Sequence, residues 1–594
     1  MTPRRHPHHT TRRDWRDRFR APRWSLPSWA RDAPDRCVLT GNAGGTWEVY
    51  GWAPGSAPRP LTSRPNGTTY AAIPPAGQDV WWFADTDGDE FGVWRRQPWD
   101  AEVGADREAV PGVPPAYPAG LVFGPGDRAV IGGSDDDGTA LRCWDGTELR
   151  VLYRHAEDAS VEAITRDGTL VAISHSEHGD SRHPALRVLA WDGTAVAELD
   201  DGPGLGLHPI TFLGESDELL VGHERRGRDE LLVFSPRSGA VRELDLPLDG
   251  ELSAVAAPDG SWLAVVAEHR GRSTVHRYVL ATGELTALPT GPGTVDGIRI
   301  RPDGITWYDW SSAASAPTVR DLAGGEVLPP AGEPSAPPSV AVRDVIADGP
   351  GGPVPAFLRV PERGDAPYPT VFSIHGGPTW HDSDEYSPRA AAWVDAGYAV
   401  VTVNYRGSTG YGAAWRDAIE ASPGHVELAD IAAVRSRLVD DGVADPARCI
   451  LEGGSWGGFL TLLGLGIQPQ LWACGSAAVP VADYVAAYED EMEGLKAFDR
   501  SLFGGSPTDV PEVYAKASPL TYVDAVRAPV LILAGANDPR CPIRQIENYL
   551  AALAARGAPH EVYRFDAGHG SYVTAERIAQ MEAELDFVQR HAPA

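Results

Sequence analysis

Two rhythms of apolar and polar positions divide this chain. From about Arg36 to Leu328 the apolar runs are short and end in tight polar turns. FGPGDRAVIGGSDDDGTALRCWDGTELRVL begins at Phe123, and AITRDGTLVAIS at Ala163 restarts the same theme. Further copies start at Phe212, Ala256 and Ile300, and weaker ones near Val38 and Ala76. DG and SG dipeptides between alternating apolar runs are hairpin signals. A period of ~40–48 residues, repeated about seven times, predicts the four-stranded blades of a β-propeller. An array of β-sandwiches is disfavoured, because each sandwich needs roughly 100 residues.

The proline-rich stretch LPPAGEPSAPPS, Leu328 to Ser339, reads as a stiff connector. Beyond it the rhythm changes. TVFSIHGGP at Thr370, AGYAVVTVNYRG at Ala396, RCILEGGS at Arg448 and APVLILAGAND at Ala528 are continuous apolar runs that end in loops. HVELADIAAVRSRLVDDG, SWGGFLTLLGLG, IRQIENYLAALAARG and ERIAQMEAELDFVQRHA have helical spacing. Buried strands alternating with helices predict a doubly wound, mostly parallel sheet covered on both faces. The expected division is a basic arm over 1–35, packed on the later domain, a propeller over 36–328, a linker over 329–339 and the α/β domain over 340–594.

Composition narrows the function. The chain has 594 residues, enough for two large domains. Its formal net charge of −30 disfavours a nucleic-acid partner, since phosphate would be repelled. No apolar run is long enough to cross a bilayer. The segment MTPRRHPHHTTRRDWRDRFR lacks the apolar core of a secretory signal, so a cytoplasmic location is expected. Cys37, Cys143, Cys449, Cys474 and Cys541 are odd in number and scattered, as for reduced thiols. No histidine spacing suggests a metal, and no cofactor is expected. The oligomeric state is left open.

One stretch carries candidate chemistry. LEGGSWGGF, Leu451 to Phe459, sets four glycines around Ser455 directly after an apolar run. Its GGSWG core fits a strand-to-helix turn that exposes a nucleophilic serine. Partners would follow in the order acid, then histidine. Asp538 in LILAGANDPRCP and His569 in FDAGHGSY each stand just past a strand. Taken singly, Asp538 could be a turn former and His569 a surface histidine. In the required order, each at a strand end, they point to a Ser-His-Asp relay. Backbone donors for a developing oxyanion are expected from Trp456 and from Gly377 in HGGP.

With these motifs in view, the chain resembles the prolyl oligopeptidase family of serine peptidases, in its acylaminoacyl-peptidase and aminopeptidase-like branch. The resemblance rests on HGGP (His375–Pro378), NYRGSTGYG (Asn404–Gly412), the ELADIAA segment with Asp430, GGSWGGF, NDPRCP and DAGHG. It implies a seven-bladed propeller capping an α/β-hydrolase catalytic domain, with the site in a cavity between them. It also implies Ser455, Asp538 and His569 as the triad, with Arg406 and Asp430 near the site. The branch usually has tyrosine after the serine, and here Trp456 takes that place. Such a cap would admit short peptides or aminoacyl amides and exclude folded proteins.

Acidic segments suggest how a substrate amine could be held. YEDEMEG offers Glu489, Asp490, Glu491 and Glu493, while WHDSDEY offers Asp382, Asp384 and Glu385. Either is also consistent with a solvated acidic loop. Release of an N-terminal amino acid is the favoured expectation, including from aminoacyl-nucleoside antibiotics of the puromycin type. The rivals are removal of acylated residues from blocked N-termini, an esterase, and a binding protein with an inactive hydrolase domain.

Overall fold

The computed structural model describes residues 14–329 and 331–594. Seven antiparallel sheets follow one another from Ser28 to Asp321. Six have four strands, and the last, Thr294–Ile300, Thr306–Ser312 and Ser315–Asp321, has three. The first strands of successive blades, such as Ala159–Ile164, Leu207–Phe212 and Glu251–Ala256, touch one another and so ring the axis. Neighbouring blades stack through aliphatic faces. Leu220, Leu231 and Val233 of the fifth blade meet Leu252, Leu263 and Val265 of the sixth. That stacking explains why Leu219–His223 is buried along its whole length rather than on alternate residues.

The first and last blades share no strand among the described residues. Aromatic packing joins them instead. Trp307 lies 5.5 Å from Trp29, edge to face, and 5.7 Å from Trp52. The Arg301 guanidinium stands 4.5 Å from the Trp307 ring and donates to Pro34 O at 3.0 Å.

The C-terminal domain is built on eight strands: β1 (Arg343–Gly349), β2 (Gly352–Arg359), β3 (Tyr368–Ile374), β4 (Ala399–Val403), β5 (Ala444–Gly454), β6 (Cys474–Ala478), β7 (Val530–Gly535) and β8 (His560–Phe565). They are ordered 1-2-4-3-5-6-7-8. Strands β1, β2 and β4 pair antiparallel, and every pairing from β4 to β8 is parallel. Strand periodicity divides the apolar residues between two cores. Phe372, Val401, Leu451 and Ile532 face α2 (His425–Asp440) and α3 (Trp456–Ile467). Their neighbours Val371, Val400, Ile450 and Leu531 face Trp393 and Met581, on α1 (Pro388–Ala396) and the C-terminal α7 (Thr574–His591). Between these lie α4 (Tyr484–Asp490), α5 (Glu493–Phe503) and α6 (Ile543–Ala555). Among the described residues, no helix is long and apolar enough to cross a membrane.

Part of the stretch read as a basic arm belongs to the propeller, because Ser28–Ala30 is the first strand of the first blade. Earlier, Asp17–Arg20 forms a short helix against α1 and α7. Phe19 enters the apolar core with Trp393, and the buried Arg18 makes two hydrogen bonds to Asp395, at 2.5 and 2.9 Å. Residues 1–13 of the expected arm lie outside the described residues.

Candidate active site

Ser455 occupies the turn between β5 and α3. Its backbone has φ +55° and ψ −121°, a conformation that strains any residue with a side chain. The flanking glycines explain how that turn is packed. A Cβ on Gly453 would come within 2.6 Å of the Gly457 backbone, and one on Gly458 within 2.8 Å of Ala478 O. A Cβ on Gly457 would strike the backbone of Ile374. The turn is therefore pressed between the ends of β3 and β6, and Ser455 N–H donates to Ala478 O at 2.9 Å.

His569 and Asp538 are brought together from the loops after β8 and β7. Imidazole Nδ1 lies 2.8 Å and 3.0 Å from the two Asp538 oxygens. Asp538 is buried, and its Oδ1 also accepts the N–H groups of Arg540 and Cys541, each at 2.9 Å. The carboxylate is thus fixed before it meets the ring. Among the described residues, no hydrogen bond joins Ser455 to His569.

Cys541 was not anticipated from sequence. It is three residues after Asp538 and turned back by the bond from its N–H to the Asp538 carboxylate. Asp538, Cys541 and His569 present ligand-type atoms within 4.8 Å of one another, the one such group among the described residues. Their existing chemistry is that of an occupied network. Burial, reinforced by the Asp538 charge, holds the thiol well above its ordinary range, so it keeps its proton. Asp538 is already committed to His569 and two amides.

The HGGP loop closes over the serine. A Cβ on Gly376 would stand 3.2 Å from Ser455 Cβ and 3.7 Å from Trp456 N. Gly377 follows with φ +120°, a backbone that favours glycine. Trp456 opens α3, where first-turn amides have no partner inside the helix. The loop is braced from behind. Tyr405 stacks on His375 at 4.3 Å and donates to His375 O at 2.9 Å. Burial pulls the His375 imidazole down to about 4, so it is neutral. The Trp456 indole N–H donates to Glu427 at 3.2 Å, and burial pushes that carboxyl up to about 8.

The remaining predicted residues are dispersed. Arg406 is spent on Asp430, with bonds of 2.9 and 2.8 Å that tie the loop after β4 to α2. Glu489 and Asp490 pair with the exposed Arg544, and Glu493 with Arg500. Glu491 turns inward, and its Oε1 is buried without a hydrogen-bond partner. The next residue, Met492, donates its N–H to Pro539 O at 3.1 Å, beside Asp538. Asp384 accepts the Ala313 N–H of the propeller at 2.9 Å and lies 3.5 Å from Arg272. Glu385 is raised to about 7 by burial and by Asp296 and Asp382, and its backbone carbonyl accepts from Arg359.

The propeller grips the histidine loop directly. Trp47 N–H donates to Tyr572 O at 3.0 Å, and Thr574 N–H to Gly45 O at 2.8 Å. Glu90 holds Arg540 at 2.9 Å. Gly88 and Gly568 meet backbone to backbone, and a Cβ on Gly88 would come within 2.8 Å of Gly568 N. These contacts join residues 450 to 529 positions apart, and no local sequence signal announces them.

The profile described as the prolyl oligopeptidase family matches residues 384–593. The chain is 31% identical over 357 residues to dipeptidyl aminopeptidase BIII of Pseudoxanthomonas mexicana, covering 58% of this chain and 47% of that one. It is 31% identical over 212 residues to the acylamino-acid-releasing enzyme of Arabidopsis thaliana, covering 33% and 27%. The matches thus span about half or less of these curated relatives. A solved puromycin-hydrolyzing peptidase of Mycobacterium tuberculosis superposes with a TM-score of 0.81 at 23% identity, covering 97% of this chain and 96% of that one. At that identity the likeness is one of fold.

Proposed function

We propose, from the premise that residues 384–593 belong to the prolyl oligopeptidase family, that this chain is a serine peptidase acting on short peptides or aminoacyl amides. Ser455 is the nucleophile, His569 the base and Asp538 the acid that orients it. The observation that carries this reading is the His569–Asp538 pair at 2.8 Å, under the propeller and in the same domain as the strained Ser455 turn. In the first half-reaction Ser455 Oγ bonds to the substrate carbonyl carbon while its proton passes to His569. The C–N bond then breaks, and its electron pair stays with nitrogen, which takes that proton. Water repeats the sequence on the acyl-enzyme and regenerates the serine. The N–H groups of Gly377 and Trp456 hold the oxyanion, and losing one such donor raises the barrier by about 3 kcal/mol.

Release of an N-terminal residue is the favoured form of the activity. Its support is Glu491, a buried carboxyl beside the Asp538 loop with one oxygen free of hydrogen bonds; burial and Asp499 hold it well above its ordinary range, and an arriving ammonium group would favour its ionised form. The aminopeptidase relative and the puromycin-hydrolyzing fold neighbour agree with a free amine and with aminoacyl nucleosides as substrates. The relative that releases acylamino acids favours a second reading, removal of a blocked residue. Five buried, unpaired cysteines fit a reducing, cytoplasmic setting.

Two measurements test the proposal. An organophosphonate probe should label the wild type and leave Ser455→Ala unlabelled. A matched series of aminoacyl, N-acetyl-aminoacyl and ester chromogens should favour the free-amine amide. Absence of labelling, or faster turnover of every ester than of any amide, would overturn the reading.

A further inference from the structure

A cavity of about 630 Å³ lies between the first two propeller blades and the loop that carries His569. His569 forms part of its wall, and so do Tyr70 and Phe83 from the propeller and Tyr572 and Arg577 from the other domain. Tyr70 and Tyr572 keep 50% and 45% of their surface exposed, against a background in which most large aromatic rings are buried. The wall is mixed, with the Trp47, Tyr70, Phe83 and Tyr572 rings set among polar and charged side chains, and its volume is that of a small-ligand site.

The charges of this wall are paired, with one exception. Asp85 is held by Arg64 at 2.9 Å, and Glu90 by Arg540 at 2.9 Å. Arg577 has no ion pair or side-chain hydrogen bond among the described residues, and residues 1–13 contain no acidic side chain that could supply one. Its guanidinium lies 5.7 Å from the Phe19 ring. The neighbouring cations do not compensate for it. Arg389 is engaged by Glu452 and Glu584, and the buried Nε of Arg23 is itself without a partner. Burial, with Arg23 and Arg389 adding repulsion, lowers Arg577 to about 10. A half-buried cation without an ion pair is a ready partner for an incoming anion. In a chain of net charge −30 such an excess of positive charge is local and specific.

We propose that this cavity receives the departing part of a peptide substrate and that Arg577 binds its free C-terminal carboxylate. The inference rests on the peptidase reading above. In that reaction His569 hands its proton to the leaving nitrogen as the C–N bond breaks, so the departing residue lies on the imidazole side. His569 is the residue of the proposed relay that lines this cavity. The tyrosines bracket the departing side chain, and the guanidinium accepts the carboxylate in a charge-assisted pair. The substrates so selected are peptides with one or two residues after the cleaved bond, ending in a free acid.

The test holds the acyl residue constant and varies what leaves. An aminoacyl-phenylalanine is compared with the same dipeptide ending in an amide, and with an aminoacyl anilide as the neutral reference. The wild type should prefer the free acid over the amide by at least ~10-fold in kcat/KM. Arg577→Met should bring that ratio to about one, and Arg577→Lys should retain part of it. As a second measurement on the wild type alone, free phenylalanine should inhibit anilide hydrolysis more strongly than phenylalanine amide. This arm stands even should the Met variant not fold. Equal wild-type rates on acid and amide, a ratio that persists in Arg577→Met, or equal inhibition by the two products would each overturn the inference. If anilide turnover and phosphonate labelling are intact when this happens, the inference alone has failed. If both are absent from the wild type, the peptidase reading has failed with it.

Discussion

Replacing Gly568 by alanine tests whether the propeller positions His569, the proposed base. The residue immediately precedes His569. A Cβ there would fall inside the contact distance of Gly88 O and within 2.8 Å of Gly88 C, where ordinary carbon contacts begin at 3.4 Å. The obstacle is backbone on a blade of the other domain, so no side chain can swing aside. Either the histidine loop or the Gly88 turn must move. A displacement of about 1 Å at a reacting group is enough to cost ~100-fold in rate. We therefore expect kcat/KM for an aminoacyl anilide to fall by ~100-fold or more. Overpacking of this kind also costs about 1–3 kcal/mol of stability, visible as a lowered melting temperature. Gly570→Ala provides the matched comparison, because a Cβ at Gly570 meets nothing within 4 Å. It should stay within about threefold of the wild type, in line with a substitution that creates no clash. Gly568→Ala at near wild-type rate, or equal losses in the two variants, would refute the idea that blade contact sets the position of His569.

Three further outcomes follow from the same geometry. Asp538→Asn keeps an oxygen for the Arg540 and Cys541 amides but turns a donor toward His569 Nδ1, so kcat should fall by ~10⁴ with little loss of melting temperature. Trp456→Phe removes the indole N–H from the buried Glu427, which should cost about 1–3 kcal/mol in denaturant unfolding; an unchanged midpoint would mean the bond contributes nothing. Stability should fall as pH rises from 6 to 9. Burial raises Asp229, Asp309, Asp382 and Glu385 to about 7, and His183, which burial alone would lower, is raised to about 9 by Asp180 and Asp417. The folded state thus holds protons that the unfolded chain has already released, so the advantage is full at low pH and is lost through these values. A melting temperature that rises across this interval would contradict the assignment.

Much of this architecture was legible because local rules and the global fold agree. The repeat read from Phe123, Ala163 and Phe212 has the right period but begins one strand late. The DG turns that announce it lie after the inner strand of each blade, as between Ala159–Ile164 and Leu170–Gly179. The same offset hid Ser28–Ala30 inside an arm that looked merely basic. In the C-terminal half the apolar runs located β3, β4, β5 and β7, while β1, β2 and β6 went unread, and the order Ser455, Asp538, His569 placed the candidate relay at strand ends. What escaped was pairing at long range. Four carboxylates in YEDEMEG look alike in sequence, yet three are neutralised by Arg544 and Arg500, and only Glu491 is turned inward. Likewise nothing in DAGHG indicates that Gly568 abuts Gly88, and nothing in the final helix marks Arg577 as a cavity-lining guanidinium without an ion pair among the described residues.

The docking of Asp17–Arg20 on α1 and α7 sets a schedule for synthesis. All seven blades leave the ribosome before any strand of the eight-stranded sheet, and they can fold as a ring while the rest is still being made. The Arg18 side chain meanwhile waits for Asp395, and Phe19 for the apolar face around Met581 and Leu585. The earliest described helix is therefore among the last pieces to find its place. Trimming α7 from one end of the chain should loosen the other, a linkage that limited proteolysis near Arg20 would register.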